Sequence, residues 1–425
     1  MKSNKNKDFI WNLLGLTINS FNSFFFLIVV NRINGTESGG VFTYAYSLIC
    51  LFYMIGIFYT RTYQVSDTSN NYTNKEYICS RAFSCFMMLL VTIISLLIFR
   101  YDYFKTTIII LLCLYRLVEA FADVFLGILQ KEGFLYKAGF SLFVKGMIGL
   151  IVFILVDYFT KNLIISCVSI VLVNIIIFLI YDLHNTKKYI EKSYKLKNAF
   201  AILKTSFPVF IFTFLNIYLV NASKYILDIF DSASIQNVYG IILMPGTVLS
   251  LCAQYILNPY IVPLTNLYKD KKFKEYDKSI FKIIAIIFIL GIACEFVVAI
   301  IGIPLLNLVY GIDLSAYKIE LLVIIFGSIF VALIAVISSG LTIIKKNYIQ
   351  VYIYIANCIL TTIIAVLLIN KFSIMGASLT YAISMIIQFC SSYLFYKNYI
   401  NGGIDNEGSN KKSIRRGKRK FRVAI

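Results

Sequence analysis

Arg116, Glu119, Asp123 and Gln130 fall at positions i, i+3, i+7 and i+14 of one apolar stretch near residues 107–130. That spacing puts four polar side chains on a single stripe of an α-helix. A charge at the centre of a bilayer costs at least about 2.5–3.5 kcal/mol, so such a stripe faces other helices or water rather than lipid. Arg116 and Glu119 are spaced to pair with each other. Asp123 is then a further carboxylate, and Lys145, in the middle of the next apolar stretch, is its candidate partner. Two kinds of chemistry follow. Arginine forks and lysine point charges suit phosphate or pyrophosphate. Carboxylates beside them balance the charge or bind a coupling cation.

Other polar residues extend the set. Asn221, Lys224 and Asp228 share a narrow arc of a later stretch, with Lys224 and Asp228 spaced as an i, i+4 pair. Arg61 lies at the mouth of the second stretch, on the face that carries Thr43, Ser47 and Cys50, and Asn12, Asn19 and Ser23 share one face of the first. The expected substrate-binding residues are Arg61, Arg116, Lys145, Lys224, Asn216 and Gln254. Glu119, Asp123, Asp228 and Glu295 are expected to balance charge or couple a cation. The nine cysteines are scattered, the one histidine is His184, and no C-x-x-C occurs. Neither a metal site nor a disulfide framework is expected, and no cofactor is.

The elements that must hold these residues are membrane helices. Hydrophobic residues make up 59% of the chain, charged ones 14%, and the mean hydropathy is +0.80; soluble domains carry about 25% charged residues. Twelve spans are expected near 11–31, 40–60, 78–99, 107–130, 138–157, 162–182, 204–228, 234–262, 280–303, 319–344, 347–370 and 376–397. With the N-terminus in the cytoplasm, 31 of the 40 lysines and arginines fall on cytoplasmic segments and six on outer loops, once span-edge residues are given to the nearest loop. That bias places both termini in the cytoplasm. It also accounts for the +19 net charge: basic loops and a basic tail attract anionic membrane lipids, and no nucleic-acid partner is implied.

The Lys-rich connection near 183–203 divides the spans six and six. The expected organisation is an N-terminal lobe at 1–190, a basic linker at 191–203, a C-terminal lobe at 204–400 and a basic cytoplasmic tail at 401–425. Asn74-Lys75-Glu76-Tyr77 follows the second span of one half, and Phe273-Lys274-Glu275-Tyr276 follows the second span of the other. This echo suits a parallel repeat. The fold class is thus all-α integral membrane, with twelve helices in two pseudo-symmetric six-helix lobes around a central cavity. All five prolines lie in the second half, and Pro245 is expected to bend its helix. No G-x-x-x-x-G-K-[ST] occurs, and no outer loop is long enough for a catalytic domain, so a transporter driven by a gradient is expected rather than an enzyme.

Five runs carry a family resemblance: Asn31-Arg32-Ile33-Asn34-Gly35, Gly39-Gly40-Val41-Phe42-Thr43-Tyr44-Ala45, Arg61-Thr62-Tyr63-Gln64-Val65-Ser66-Asp67, the span-four segment Arg116 to Val124 with Gly127 and Gln130-Lys131, and Lys224-Tyr225-Ile226-Leu227 leading to Val238-Tyr239-Gly240 and Met244-Pro245. Together they resemble the oligosaccharide-repeat flippases of the multidrug/oligosaccharidyl-lipid/polysaccharide exporter superfamily. Ser223 stands where that family usually has an acidic residue. The resemblance implies alternating-access movement of undecaprenyl-diphosphate-linked oligosaccharide from the inner to the outer leaflet of a bacterial cytoplasmic membrane, for O-antigen or capsule. It also implies a polysaccharide polymerase and glycosyltransferases as partners. A gradient-coupled small-molecule exporter on the same fold is the alternative.

Overall fold

The computed structural model describes residues 5–67, 69–344 and 346–422, and every regular element among them is helical. The first two crossings form one element, α1 (Lys5–Ile57), interrupted at Gly35 with φ 83°, a conformation that glycine adopts without strain. Then come α2 (Thr60–Ser66), α3 (Asn74–Phe99), α4 (Tyr103–Lys131), α5 (Leu135–Thr160) and α6 (Leu163–Ile177). A π-helical turn, Phe178–Leu183, carries α6 into the short α7 (His184–Thr186). The remainder is α8 (Leu196–Phe230), α9 (Ala233–Leu257), α10 (Ile261–Lys269), α11 (Phe273–Tyr310), α12 (Lys318–Ile343) and α13 (Asn347–Arg422), the last broken at Ser373.

Among the described residues, nine helical segments are long and apolar enough to cross a membrane. Two of them contain the breaks at Gly35 and Ser373 and hold two crossings each. The charges of α4 alone keep it from meeting the same criterion, although its 29 residues are long enough to span. The twelve expected spans are therefore present. Local chemistry sets their ends. Thr73 and Glu76 form a reciprocal cap at the start of α3, Asp102 caps α4, and Asn162 caps α6. α9 stays helical through Pro245.

The chain divides into two compact units. One comprises residues 1–240 with 307–312, and the other 241–306 with 313–425. In the first, α4 is the hub, packed against α1, α2, α3, α5 and α6, and α8 packs on α1 and α3. The sequence groups α8 with the later spans, so this lateral packing is a property of the fold and not of chain order. In the second unit, Ile283, Ile329, Leu333 and Ile337 form a core with Tyr276 and Tyr396. The Lys-Glu-Tyr echo marks the start of a helix in each unit, and both tyrosines, Tyr77 and Tyr276, are fully buried.

The expected linker at 191–203 is partly α8 itself, which begins at Leu196. Its first part is fastened to α3. Glu76 accepts from the Lys195 backbone N–H at 3.0 Å and from Asn198 at 2.8 Å, and Lys75 donates to the Lys192 carbonyl at 2.9 Å. The basic side chains expected in the tail at 401–425, and residues 423–425 altogether, lie outside the described set.

α1 and α5 approach at two glycines. A Cβ on Gly139 would stand 2.4 Å from the Trp11 carbonyl carbon, and one on Gly15 would stand 2.3 Å from the Gly139 oxygen. Small residues permit such close contact between membrane helices. Gly139→Val should therefore lower stability by about 1–3 kcal/mol, the usual range for overpacking, and lower the thermal midpoint of the solubilised protein. Alanine at Gly149, where a Cβ would meet nothing within 4 Å, should leave that midpoint nearly unmoved.

Candidate functional site

The stripe on α4 gathers side chains from α1, α2 and α3, all within the first unit. Arg116 pairs with Glu119 at 2.5 Å, as the spacing implies. Its guanidinium also donates to the Tyr46 hydroxyl and lies 4.9, 5.2 and 5.5 Å from the rings of Tyr46, Tyr53 and Tyr115. Such a cage holds a buried cation by its π faces. The other oxygen of Glu119 accepts from Asn19 at 2.9 Å.

Asp123 does not pair with Lys145. One oxygen accepts from Arg61 at 2.8 Å and the other from Arg81 at 2.9 Å. Arg61 extends the chain to Gln130 at 3.0 Å. Arg81 is fully buried and also donates to the Gly56 carbonyl at 3.3 Å. Its position at the edge of the third span made it part of a loop in the sequence count. Nothing in the linear spacing distinguishes an edge arginine that snorkels outward from one that turns in.

Lys145 pairs instead with Asp182, a fully buried carboxylate that also accepts from Ser141 at 2.6 Å. Asp182 lies in the π-helical turn after α6; such turns recur at functional sites. It stands 37 positions from Lys145, so no periodicity links the two. The expected Lys224–Asp228 pair is not formed either. Asp228 binds Lys105, at 2.6 and 2.7 Å, because the ammonium is held over the rings of Tyr44 and Tyr101 at the start of α4.

Lys224 is thereby left apart. It is 7% exposed and donates to the Ser47 hydroxyl at 3.1 Å. No ion pair to it forms among the described residues. Cys50 lies within electrostatic reach of both Lys224 and Arg116. Tyr225, the next residue on α8, donates to the Ser47 carbonyl at 3.0 Å and fixes that helix face against α1.

A cavity of about 170 Å³ opens inside this unit, and Arg61, Glu119, Asp123 and Lys145 all line it, with Asn19 and Tyr53. Four of the residues expected to bind substrate or balance charge are thus brought to one chamber. Arg116 stands behind it, held by Glu119. Asn216 is half-buried on α8, while Gln254, exposed on α9, and Glu295, half-buried on α11, belong to the second unit. α2 closes one side of the chamber. Gln64 donates to the Val124 carbonyl at 3.2 Å, and its side chain lies where a Cβ on Gly127 would stand, 2.2 Å from its oxygen. Beyond α2, burial works against the Asp67 carboxylate, but N–H groups of Asn71 and Tyr72 outweigh it and hold its pKa below the ordinary value.

Breaking the clamp should be costly. Asp123→Asn leaves fully buried Arg81 without a counter-charge, a change worth about 3–5 kcal/mol. It should lower the thermal midpoint more than Arg61→Gln does, because the Arg61 side chain retains 23% exposure. Adding Arg81→Leu to Asp123→Asn should recover part of the loss. A thermal-unfolding cycle on the solubilised protein measures all three.

No family model matches the chain. It is 29% identical, over 421 residues, to the capsular polysaccharide biosynthesis protein CapF of Staphylococcus aureus, covering 93% of this chain and 99% of that one. Its fold matches a structure described as the inward-facing conformation of a multidrug resistance MATE family transporter of the MOP superfamily. The TM-score is 0.68 at 11% identity, over 93% of this chain and 99% of the other. It also matches the lipid II flippase MurJ in an inward closed conformation, with a TM-score of 0.71 at 14% identity, over 91% and 87% of the two chains. The proteins sharing the fold are described as transporters and a flippase, not as enzymes. The shared fold and the capsule-biosynthesis relative together bear out the resemblance to the multidrug/oligosaccharidyl-lipid/polysaccharide exporter superfamily, and this chain is a multi-pass membrane protein of transporter fold.

Proposed function

We propose that the protein moves undecaprenyl-diphosphate-linked oligosaccharide repeat units from the cytoplasmic to the outer leaflet of a bacterial cytoplasmic membrane, with both termini in the cytoplasm. Two helical lobes moving against one another would give alternating access. One observation carries the reading: Lys224 lies buried in a membrane helix with a hydroxyl, and no carboxylate among the described residues, as its partner. A cation in that position is costly until an anion arrives, and a pyrophosphate supplies one. Arg116, which donates to Cys50 Sγ at 3.8 Å, keeps Glu119 as its partner. Glu119 and Asp123 balance the remaining cations. The name of the capsule-biosynthesis relative and the description of MurJ as a lipid II flippase support the same class of substrate.

A gradient-coupled small-molecule exporter remains the second reading, favoured by the fold shared with a multidrug transporter. Proteoliposomes holding the full chain and a labelled undecaprenyl-diphosphate-linked oligosaccharide separate the two. Lys224→Met should slow leaflet exchange of the lipid at least about tenfold, a loss of one charge-assisted contact, and Lys224→Arg should retain most of the activity. Cells lacking the protein should accumulate lipid-linked units on the inner leaflet. Wild-type exchange by Lys224→Met, or normal lipid-linked pools in the deleted strain, would end this reading. In the exporter reading, neutralising Arg116 or Lys224 leaves transport intact while loss of Glu119 or Asp123 abolishes it.

A further inference from the structure

We infer that the chamber in the first unit is a sugar subsite for an uncharged, hydroxyl- and amide-bearing ring, distinct from the Lys224 position that takes the pyrophosphate. The inference rests on the flippase reading and assigns the parts of the substrate to different places.

Charge balance in the wall carries it. Four charged residues line the chamber, two cations and two carboxylates: Arg61, Lys145, Glu119 and Asp123. Each already holds an opposite charge. Arg61 is on Asp123, Glu119 is on Arg116, and Lys145 is on Asp182. An incoming phosphate would have to displace a resident carboxylate and then lie beside Glu119 and Asp123 in a medium where like charges repel strongly. An uncharged ligand meets no such cost.

The same wall suits hydroxyl groups. A carboxylate has about four acceptor positions. Glu119 uses one oxygen on Arg116 and the other on Asn19, which leaves lone pairs on both. Asp123 is used likewise by two arginines. Arg61 and Lys145 keep N–H groups for ring and hydroxyl oxygens. Asn19 and Asn174 supply amides, and Tyr53 and Tyr115 supply flat apolar faces with polar tips. Lys224 is absent from the lining. The one buried cation of the α4–α8 region without a carboxylate among the described residues therefore lies apart from the chamber where the others are neutralised.

The test uses the full chain in lipid nanodiscs and three probes: undecaprenyl diphosphate without sugar, methyl N-acetylglucosaminide, and methyl glucuronide. Wild-type protein should bind the acetamido glycoside and the lipid diphosphate together, without competition, and the uronate several-fold more weakly than the neutral glycoside. Glu119→Gln keeps the volume and removes one negative charge. It should weaken the neutral glycoside about tenfold and strengthen the uronate, with the lipid diphosphate within about threefold of wild type. Lys224→Met should do the reverse, losing the lipid diphosphate and sparing the glycoside. Tyr53→Phe, which alters no charge, should weaken only the glycoside and serves if Glu119→Gln fails to fold. Competition between glycoside and lipid diphosphate, equal losses of both in Glu119→Gln, or binding of the lipid diphosphate without any glycoside would overturn the sugar subsite while leaving the flippase reading in place. Failure of wild-type protein to bind the lipid diphosphate at all would bring down the flippase reading itself.

Discussion

Asp123 on α4 takes Arg61 from α2 with one oxygen and Arg81 from α3 with the other. In a lipid-embedded bundle, an unpaired charge of either sign is worse than an apolar residue of the same size. That requirement ties three elements together at one atom group and sets where α2 can lie. With α2 in place, Arg61 reaches the chamber wall, Gln64 reaches the Val124 carbonyl, and Gly127 has to lack a side chain. Without the carboxylate, the two guanidinium groups would repel each other and the mouth of the chamber would have no reason to hold its shape. The Arg116–Glu119 and Lys145–Asp182 pairs repeat the principle further along α4 and α5. The first unit is therefore organised around a column of paired charges inside an apolar shell.

Much of this was legible in the residue pattern because lipid allows few solutions. Apolar length fixes the spans, and the stripe at 116, 119, 123 and 130 has to face inward whatever its neighbours are. The Arg116–Glu119 pair follows from local spacing alone. The partners of Asp123, Lys145 and Asp228 were not legible, for one physical reason: they come from other helices. Lys145 and Asp182 are 37 residues apart, and Lys105 and Asp228 are 123 apart, so which faces meet depends on helix rotation. The π turn that contains Asp182 leaves no compositional mark, since Phe178–Leu183 reads as a continuation of an apolar helix. Arg81 was hidden differently. An arginine about two turns into a helix that starts from a basic loop normally reaches back to water, and only the presence of Asp123 across the bundle makes burial favourable.

Pairing also decides which cation can do work on a ligand. A guanidinium or ammonium with a resident carboxylate is satisfied in the empty protein, so a new anion gains only the difference between two similar contacts. A cation held by a hydroxyl gains the whole charge–charge contact when an anion arrives. Lys224 is of the second kind, held by Ser47, whereas Arg61, Arg116 and Lys145 are of the first. A binding site for a charged head joined to neutral sugars needs both kinds: a strong electrostatic contact at one point and many weak, directional ones elsewhere. The paired residues of the chamber wall, Arg61, Lys145, Glu119 and Asp123, serve the weak contacts because their charges are fixed in place and they keep spare lone pairs and N–H groups. Net attraction at Lys224 and net neutrality at the chamber are thus two consequences of one rule, that inside a membrane a charge keeps whatever partner the fold supplies.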